Sequence, residues 1–356
     1  MKRCFLPVFL AFFLVVAFAF SCLAQTLELG IDRSQLSWQN EAVQERTVRD
    51  IHALHATWFR DGPISGSPKA IPGFVNEVKL VKQQNLKMLV TIGQMDEDYD
   101  GALEKNRCGW NLKRLSAINL DKYGQRLRTL FGALKDAHLE IDAVEFGNEY
   151  DVDCYDGDVP SGHAASPAEI ATWLSGYGHF LKTGAEAVHS FFPEAKIITF
   201  GITHSSDRWD NPPHHFSKPA RIVAMLRNVN GFNYLDNSSY HVDGYGTHIY
   251  AQDDIEEVIT GYLREDSTYL GKDQPFWVTE WGFANPKGFP NKSGKSMNEA
   301  LDQSLAIYEK MSREVPLGPL MFYRYDVWLA DESGKLLPLS STLSAWFAKR
   351  SPSTNR

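Results

Sequence analysis

The chain has 356 residues, which suffices for two ordinary domains or for one large closed fold of roughly 250 residues or more. Hydrophobic residues make up 43% and charged residues 22% of the chain, a globular composition that excludes a disordered, collagen-like or coiled-coil protein. Lys and Arg total 36 against 44 Asp and Glu, and the formal charge of -8 offers no positive field to a polyanion, which argues against a nucleic-acid partner.

The first 24 residues have the layout of a secretory signal peptide. Lys2 and Arg3 precede a continuous apolar run over 5–20, and small residues follow up to Ala24. We expect cleavage after Ala24, so that a mature chain of residues 25–356 is secreted or periplasmic and keeps no integral membrane segment. A retained membrane anchor is the alternative, but the apolar run is shorter than the ~20 residues that span a bilayer comfortably.

The four cysteines divide between this leader and the mature chain. Cys22 stands in a poor lipoprotein site, with the bulky Phe20 where a small residue is usual, so a lipid anchor on Cys22 is a weaker alternative. Cleavage leaves Cys108 and Cys154 as the pair in a compartment that permits disulfides, and we predict that they bond. Two free buried thiols are the alternative, because the sequence gives no distance between them.

The mature chain contains no long linker and alternates between two kinds of segment. Short apolar segments rich in β-forming residues lie at 27–31, 56–60, 86–92, 142–146, 196–201, 244–250, 276–279 and 320–324. Segments with helical periodicity lie at 40–54, 72–84, 120–138, 167–190, 219–228, 254–265, 297–313 and 340–349. Plausible N-caps are Asn119 or Asp121, Ser166 with Glu169, and Ser296 with Glu299.

Eight strands alternating with eight helices predict an α/β chain with one (β/α)8 barrel over 25–356. A doubly wound open sheet is the alternative fold. The connections after the third, fourth and fifth strands, at 94–119, 151–166 and 204–218, are long, and barrel enzymes carry their sites on such loops. Because Cys108 and Cys154 fall in two of these loops, their bond would staple the rim of a site.

Two strand ends carry carboxylates. The fourth strand runs into Asn148-Glu149, and the seventh runs into Glu280-Trp281. In a barrel both ends face one rim, so the two Glu side chains can converge across a single cleft. Two carboxylates that flank a glycosidic oxygen are what glycoside hydrolysis requires, one to donate a proton and one to attack or to activate water.

The Gly-Asn-Glu ending at Glu149 and the Thr-Glu-Trp-Gly around Glu280 resemble the two signatures of clan A glycoside hydrolases, the retaining (β/α)8 enzymes. The resemblance is nearest in motif to the cellulase and mannanase families. It implies that Glu149 is the acid/base, that Glu280 is the nucleophile, and that Asn148 binds the sugar 2-hydroxyl. His248 and Tyr250 resemble the His-x-Tyr of those families, in which the Tyr contacts the nucleophile.

Arg60, at the end of the second strand, resembles the clan's arginine near the nucleophile and would hold Glu280 ionised. Its alternative is an ordinary ion pair with Asp32 or Asp61. The chain departs from the clan at strand eight, where Trp328 stands a few residues later than the usual sugar-binding Trp. For Trp281 and Trp328, sugar stacking and core packing remain equal alternatives.

The sequence lacks a Gly-x-Ser-x-Gly elbow, a phosphate-binding loop and a spaced set of metal ligands, so we expect no cofactor and no metal. The expected activity is that of a retaining O-glycoside hydrolase acting on an oligo- or polysaccharide, by resemblance one derived from plant walls. A non-catalytic carbohydrate-binding barrel and a transglycosylase remain the alternatives. Carbohydrate is the expected partner, and the oligomeric state is left open.

Overall fold

The computed structural model describes residues 27–350, apart from 64–65, 68, 161–162, 164, 205–218, 228–241 and 271–273. The expected leader, with Cys22 and the cleavage point at Ala24, lies outside the described residues. Among the helices of the described residues, none combines the length and the apolar character that crossing a membrane requires.

Eight parallel strands close into one barrel. They are β1 (Leu29–Asp32), β2 (Trp58–Asp61), β3 (Lys87–Ile92), β4 (Ala143–Asn148), β5 (Lys196–Thr203), β6 (Tyr245–Tyr250), β7 (Phe276–Gly282) and β8 (Leu317–Phe322). Each strand pairs with the next, and β8 pairs with β1, where Gly30 lies opposite Met321. This closing pair confirms the (β/α)8 barrel and excludes the open sheet, in which the first and last elements leave free edges.

A helix follows each strand. The helices are α1 (Glu41–Ala53), α2 (Ile71–Gln83), α3 (Leu120–Asp136), α4 (Pro167–Phe191), α5 (Pro219–Leu226), α6 (Ile255–Ser267), α7 (Met297–Met311) and α8 (Pro338–Ala348). The expected capping boxes start α4 at Ser166 and α7 at Ser296, and Asn119 rather than Asp121 caps α3. A continuous apolar core fills the space between the strands and the helices.

The eighth strand begins earlier than the sequence predicts, at Leu317 instead of residue 320. The prediction was wrong there because Gly318 and Pro319 interrupt the apolar pattern, and both residue types usually mark the end of a strand. The structure uses Gly318 for close packing, since a Cβ at this position would lie 2.6 Å from the indole of Trp277. A local turn signal was therefore overridden by a tertiary contact.

An apolar layer fills the N-terminal half of the barrel interior. It consists of Trp58, Leu89, Ala143, Ile198, Trp277 and Met321. Because side chains alternate between the two faces of a strand, the residues two positions further on in β2, β3 and β4 also point inward. These are Arg60, Thr91 and Glu145, so the interior changes from apolar to polar towards the C-terminal ends of the strands.

Candidate active site

A cavity of about 620 Å³ lies at the C-terminal ends of the strands, where (β/α)8 enzymes carry their sites. The sequence-predicted residues among its lining are Arg60, Asn148, Glu149, Tyr250 and Glu280. The lining also includes Asp32, Ser34, Gln35, Asp61, Gly62, Pro63, Thr91, Met95, Lys113, Tyr155, Tyr323 and Arg324. The fold thus brings the two motif carboxylates and three of their predicted supporting residues to one cavity.

A bulge in β7 determines which side chain of this strand faces the cavity. Opposite β6, the register passes from Val278 directly to Glu280, so Thr279 is the extra residue. Trp277 points into the barrel, and strict alternation would therefore send Trp281 inward and Glu280 outward. The extra residue reverses this alternation, so the Glu280 side chain points into the cavity. Bulges commonly redirect a side chain in this way beside a functional site.

Glu280 is held by three side chains. Arg60 Nη1 donates to Glu280 Oε1 at 2.7 Å, and the Tyr250 hydroxyl donates to Oε2. The Nδ1 atom of His248 lies 3.5 Å from the same Oε2. Burial alone would raise the pKa of Glu280, but the charges of His248 and Arg60 and the Tyr250 hydrogen bond outweigh it and lower the pKa below 4.5. Glu280 is therefore prepared as a carboxylate.

Arg60 meets both of its predicted alternatives, because it forms an ion pair with Asp32 and also contacts Glu280 at the cavity. Besides Glu280, its Nη1 lies 2.6 Å from Asp32 Oδ2, and its Nε donates to Glu145 Oε2 at 2.8 Å. Burial lowers the pKa of Arg60, yet these surrounding carboxylates raise it well above its ordinary value. The other predicted partner, Asp61, instead accepts backbone N–H groups in the loop after β1.

Glu149 follows β4 in a left-handed backbone conformation, with φ of 52°. Gly147, two residues earlier, has φ of 105°, a value that only glycine adopts without strain. This local turn carries Glu149 out of the strand and over the cavity. Positive φ at a non-glycine residue costs free energy, and active sites are among the places where such a cost is retained.

His248 joins the two carboxylates. Its Nδ1 atom lies 2.9 Å from Glu149 Oε1 and is shared with Glu280. Burial lowers the pKa of His248, but the charge of Glu280 and the hydrogen bond to Glu149 raise it above its ordinary value overall. One polar atom from each of the three residues lies within 4.8 Å of the others. A hydrogen-bonded imidazole between two carboxylates accounts for this spacing, which a metal ion would also fit.

The two predicted Trp residues are described by the structure, and neither lines the cavity. Trp281 is 1% exposed and packs between Tyr308 of α7 and Phe322 of β8. Trp328 is 4% exposed and packs against Phe283. Of the two alternatives for these residues, the structure supports core packing.

Several cavity residues were missed from the sequence. Tyr323 lies just beyond β8, two positions after the inward-pointing Met321, and its ring lies 5.9 Å from that of Tyr250. Strand alternation could have indicated it. Glu145 follows the same rule, because it stands two residues after Ala143 as a charge inside an apolar strand; it does not line the cavity but accepts a hydrogen bond from Arg60. Lys113 comes from a long loop, whose conformation no pattern predicts.

No protein-family model matches the sequence, and no curated protein matches it. Solved structures do match the fold. The GH5_18 protein of Streptomyces cattleya, solved in complex with GlcNAc, has a TM-score of 0.62 at 13% identity, over 92% of this chain and 81% of that chain. A GH5-4 broad specificity endoglucanase from an uncultured bacterium has a TM-score of 0.62 at 13% identity, over 91% and 95% of the two chains.

The β-glucosidase of Thermotoga maritima, in complex with a methoxycarbonyl-substituted glucoimidazole, has a TM-score of 0.58 at 12% identity, over 92% of this chain and 98% of that chain. At such identities the likeness establishes the fold and leaves the activity to the site itself. The chain therefore has the barrel fold found in clan A glycoside hydrolases, as the motif resemblance led us to expect.

Proposed function

We propose that this protein is a retaining glycoside hydrolase that cleaves O-glycosidic bonds of an oligo- or polysaccharide by double displacement. The observation that carries the proposal is the spacing of the carboxylates: the nearest oxygens of Glu149 and Glu280 lie within 4.8 Å across the cavity. Retaining enzymes hold their two carboxyl groups ~5 to 5.5 Å apart, whereas inverting enzymes leave ~6.5 to 9.5 Å for a water molecule. The short spacing favours direct attack by one carboxylate.

In the first step, Glu280 attacks the anomeric carbon while Glu149 gives its proton to the leaving oxygen. A glycosyl-enzyme ester forms on Glu280, and the glycosidic C–O bond breaks. In the second step, Glu149 takes a proton from water, and that water displaces Glu280 from the sugar. The contacts with Arg60 and Tyr250 keep Glu280 charged and oriented for the attack, and they stabilise it again as the carboxylate that leaves in the second step. Asn148, beside Arg60, is suited to bind the sugar 2-hydroxyl.

We place the substrate among neutral sugar chains of plant-wall type, and the enzyme outside the cytoplasm. The charged side chains that line the cavity are of both signs, because Lys113 and Arg324 stand among its carboxylates. Similar folds include an endoglucanase and a β-glucosidase, which agrees with β-linked glycans. The signal-peptide pattern over 1–24 and the close cysteine pair both favour an oxidising location.

The test is chemical rescue of two variants on a panel of aryl β-glycosides and wall polysaccharides. Glu280→Gly and Glu149→Ala should each lose activity, by at least about 10³-fold for the nucleophile. Added azide should restore turnover, giving an α-glycosyl azide with Glu280→Gly and a β-glycosyl azide with Glu149→Ala. Asp253→Asn, a change of a half-buried side chain in the loop after β6, serves as the control and should keep wild-type rates.

Three outcomes would contradict this proposal. If the wild type binds a glycan but cleaves none, with or without sugar acceptors, the protein is a carbohydrate-binding barrel. If a single inverted product forms and azide rescues neither variant, the carboxylates work with a water molecule instead of a covalent intermediate. Glycosyl transfer to an added sugar in preference to water would mark a transglycosylase.

A further inference from the structure

The loop between β3 and α3 contains a short hairpin whose turn is fixed by its own side chains. Lys105 and Asn111 form an antiparallel bridge. Between them, the Asn106 side chain accepts the backbone N–H groups of Cys108 at 3.0 Å and Trp110 at 3.1 Å. Gly109 supplies the left-handed residue that the turn needs, with φ of 79°. The hairpin therefore holds one backbone conformation.

Three further links tie this hairpin to the loop after β4. Arg107 forms a two-pronged ion pair with Asp153, with both N–O distances at 2.6 Å. The Asn106 amide donates to the Cys154 carbonyl at 2.8 Å. The Cys108 and Cys154 sulfurs lie at disulfide distance, with Cα atoms 5.9 Å apart. The two loops thus form a single clamped unit at the rim.

This clamped unit presents Trp110 to solvent. The residue is 50% exposed, although an indole left in water forfeits the free energy of burying it. Its ring lies 5.4 Å from the ring of Tyr155, tilted by 57°. An exposed indole that is held on a rigid scaffold and contacts a second aromatic ring is suited to bind a ligand.

Tyr155 connects this aromatic surface to the catalytic cavity. It lines the cavity, and Gln94 holds its backbone carbonyl with a hydrogen bond of 2.9 Å. Burial, followed by the charges of Glu149 and Glu280, raises the pKa of Tyr155, so its hydroxyl stays protonated facing both carboxylates. Aromatic surface therefore runs from the two Glu residues outward to Trp110.

We propose that Trp110 and Tyr155 form an aromatic platform that stacks the apolar face of a pyranose ring next to the one at the cleaved bond. With this platform, the enzyme prefers glycan chains of several sugars to glycosides of a single sugar. The inference rests on the proposed function for the identity of the neighbouring site. The clamp matters because a platform that is already ordered loses little conformational entropy when the sugar binds.

The test compares long and short substrates in matched variants. Trp110→Ala should lower kcat/KM on β-1,4-linked gluco- or manno-oligosaccharides of four to six sugars by about tenfold, the usual effect of removing one aromatic contact. The same variant should leave kcat/KM on a 4-nitrophenyl monoglycoside unchanged, and Trp110→Phe should recover part of the loss. Trp38→Ala removes an indole that is 60% exposed and lies outside the cavity lining, and it should change neither rate.

Binding separates this inference from the proposed function. Calorimetric titration with the same oligosaccharides should show Kd raised about tenfold in Trp110→Ala, even if the wild type hydrolyses nothing. If wild type and Trp110→Ala hydrolyse long chains with the same kcat/KM, the platform is ruled out but the proposed hydrolase activity stands. The platform is also ruled out if Trp110→Ala loses kcat/KM equally on long chains and on monoglycosides. The same holds if the wild type binds none of the oligosaccharides.

Discussion

The guanidinium of Arg60 on β2 binds the carboxylate of Glu280 on β7 at 2.7 Å. Both side chains are nearly excluded from solvent. The same guanidinium nitrogen contacts Asp32 at 2.6 Å. One buried cation thus fixes the position and the charge of the proposed nucleophile. Its geometry matters as much as its charge, because a guanidinium reaches several acceptors in fixed directions and an ammonium does not.

Arg60→Lys should therefore lower kcat/KM by about 10² or more while retaining a positive charge. It should also lower the free energy of unfolding by about 1 to 3 kcal/mol, because one of the buried carboxylates loses its partner. Steady-state kinetics and urea unfolding measure the two effects. Arg264→Lys, in an exposed pair with Glu314, is the control and should change stability by less than about 0.5 kcal/mol. Wild-type kinetics in Arg60→Lys would contradict this account.

The Tyr250 hydroxyl should set the acid limb of the pH profile. Burial, followed by the charge of Glu280, raises the pKa of Tyr250, so the hydroxyl keeps its proton and donates it in a hydrogen bond. That hydrogen bond stabilises the ionised form of Glu280 and helps to lower its pKa below 4.5. In the wild type, the acid limb of kcat/KM should therefore lie below the ordinary pKa of a glutamate side chain.

In Tyr250→Phe the acid limb should move to higher pH, because the carboxylate loses a donor that favours its charged form. The measurement is kcat/KM between pH 3 and pH 8. Tyr308→Phe removes a buried hydroxyl on α7, away from the cavity, and should leave the limb in place. A limb that stays fixed in Tyr250→Phe, or moves to lower pH, is incompatible with the hydrogen bond acting on Glu280.

Gly201 on β5 makes room for His248. A Cβ at this position would collide with the imidazole of His248, which would have to move away from Glu149, the proposed acid/base residue. Gly201→Ala should therefore lower kcat by about 10². Gly261→Ala in α6 adds the same methyl group where no atom lies within 4 Å, and it should raise stability by about 0.5 to 1 kcal/mol without changing kcat. Equal kinetics in the two variants would show that the position of His248 is unimportant.

The Cys108–Cys154 pair should form a disulfide bond in the native protein. Native protein should resist alkylation of both residues, and reduction under denaturing conditions should add two labels. The bond would close a loop with a sequence separation of 46, so the double change to Ser should cost about 2 to 4 kcal/mol. Activity on a monoglycoside should survive, because neither cysteine lines the cavity. Two labels on the untreated native protein would rule out the bond.

The number and order of strands could be predicted from the sequence because strand and helix patterns repeat eight times with short returns. The two motif Glu residues could be predicted as well, since parallel strands in a barrel end at one rim. These features depend on local pattern and on topology, which the sequence displays directly. The exported state and the leader remain predictions.

The tertiary structure alone decided which neighbour in Glu280-Trp281 faces the cavity. Side chains alternate with a period of two, so one extra residue at Thr279 exchanges the inner and outer positions of everything that follows in β7. No composition or spacing marks that residue, because the bulge arises from pairing with β6 and β8. The same limit applies to the contact of Trp110 with Tyr155, which depends on two loops 45 residues apart that meet only in the folded chain.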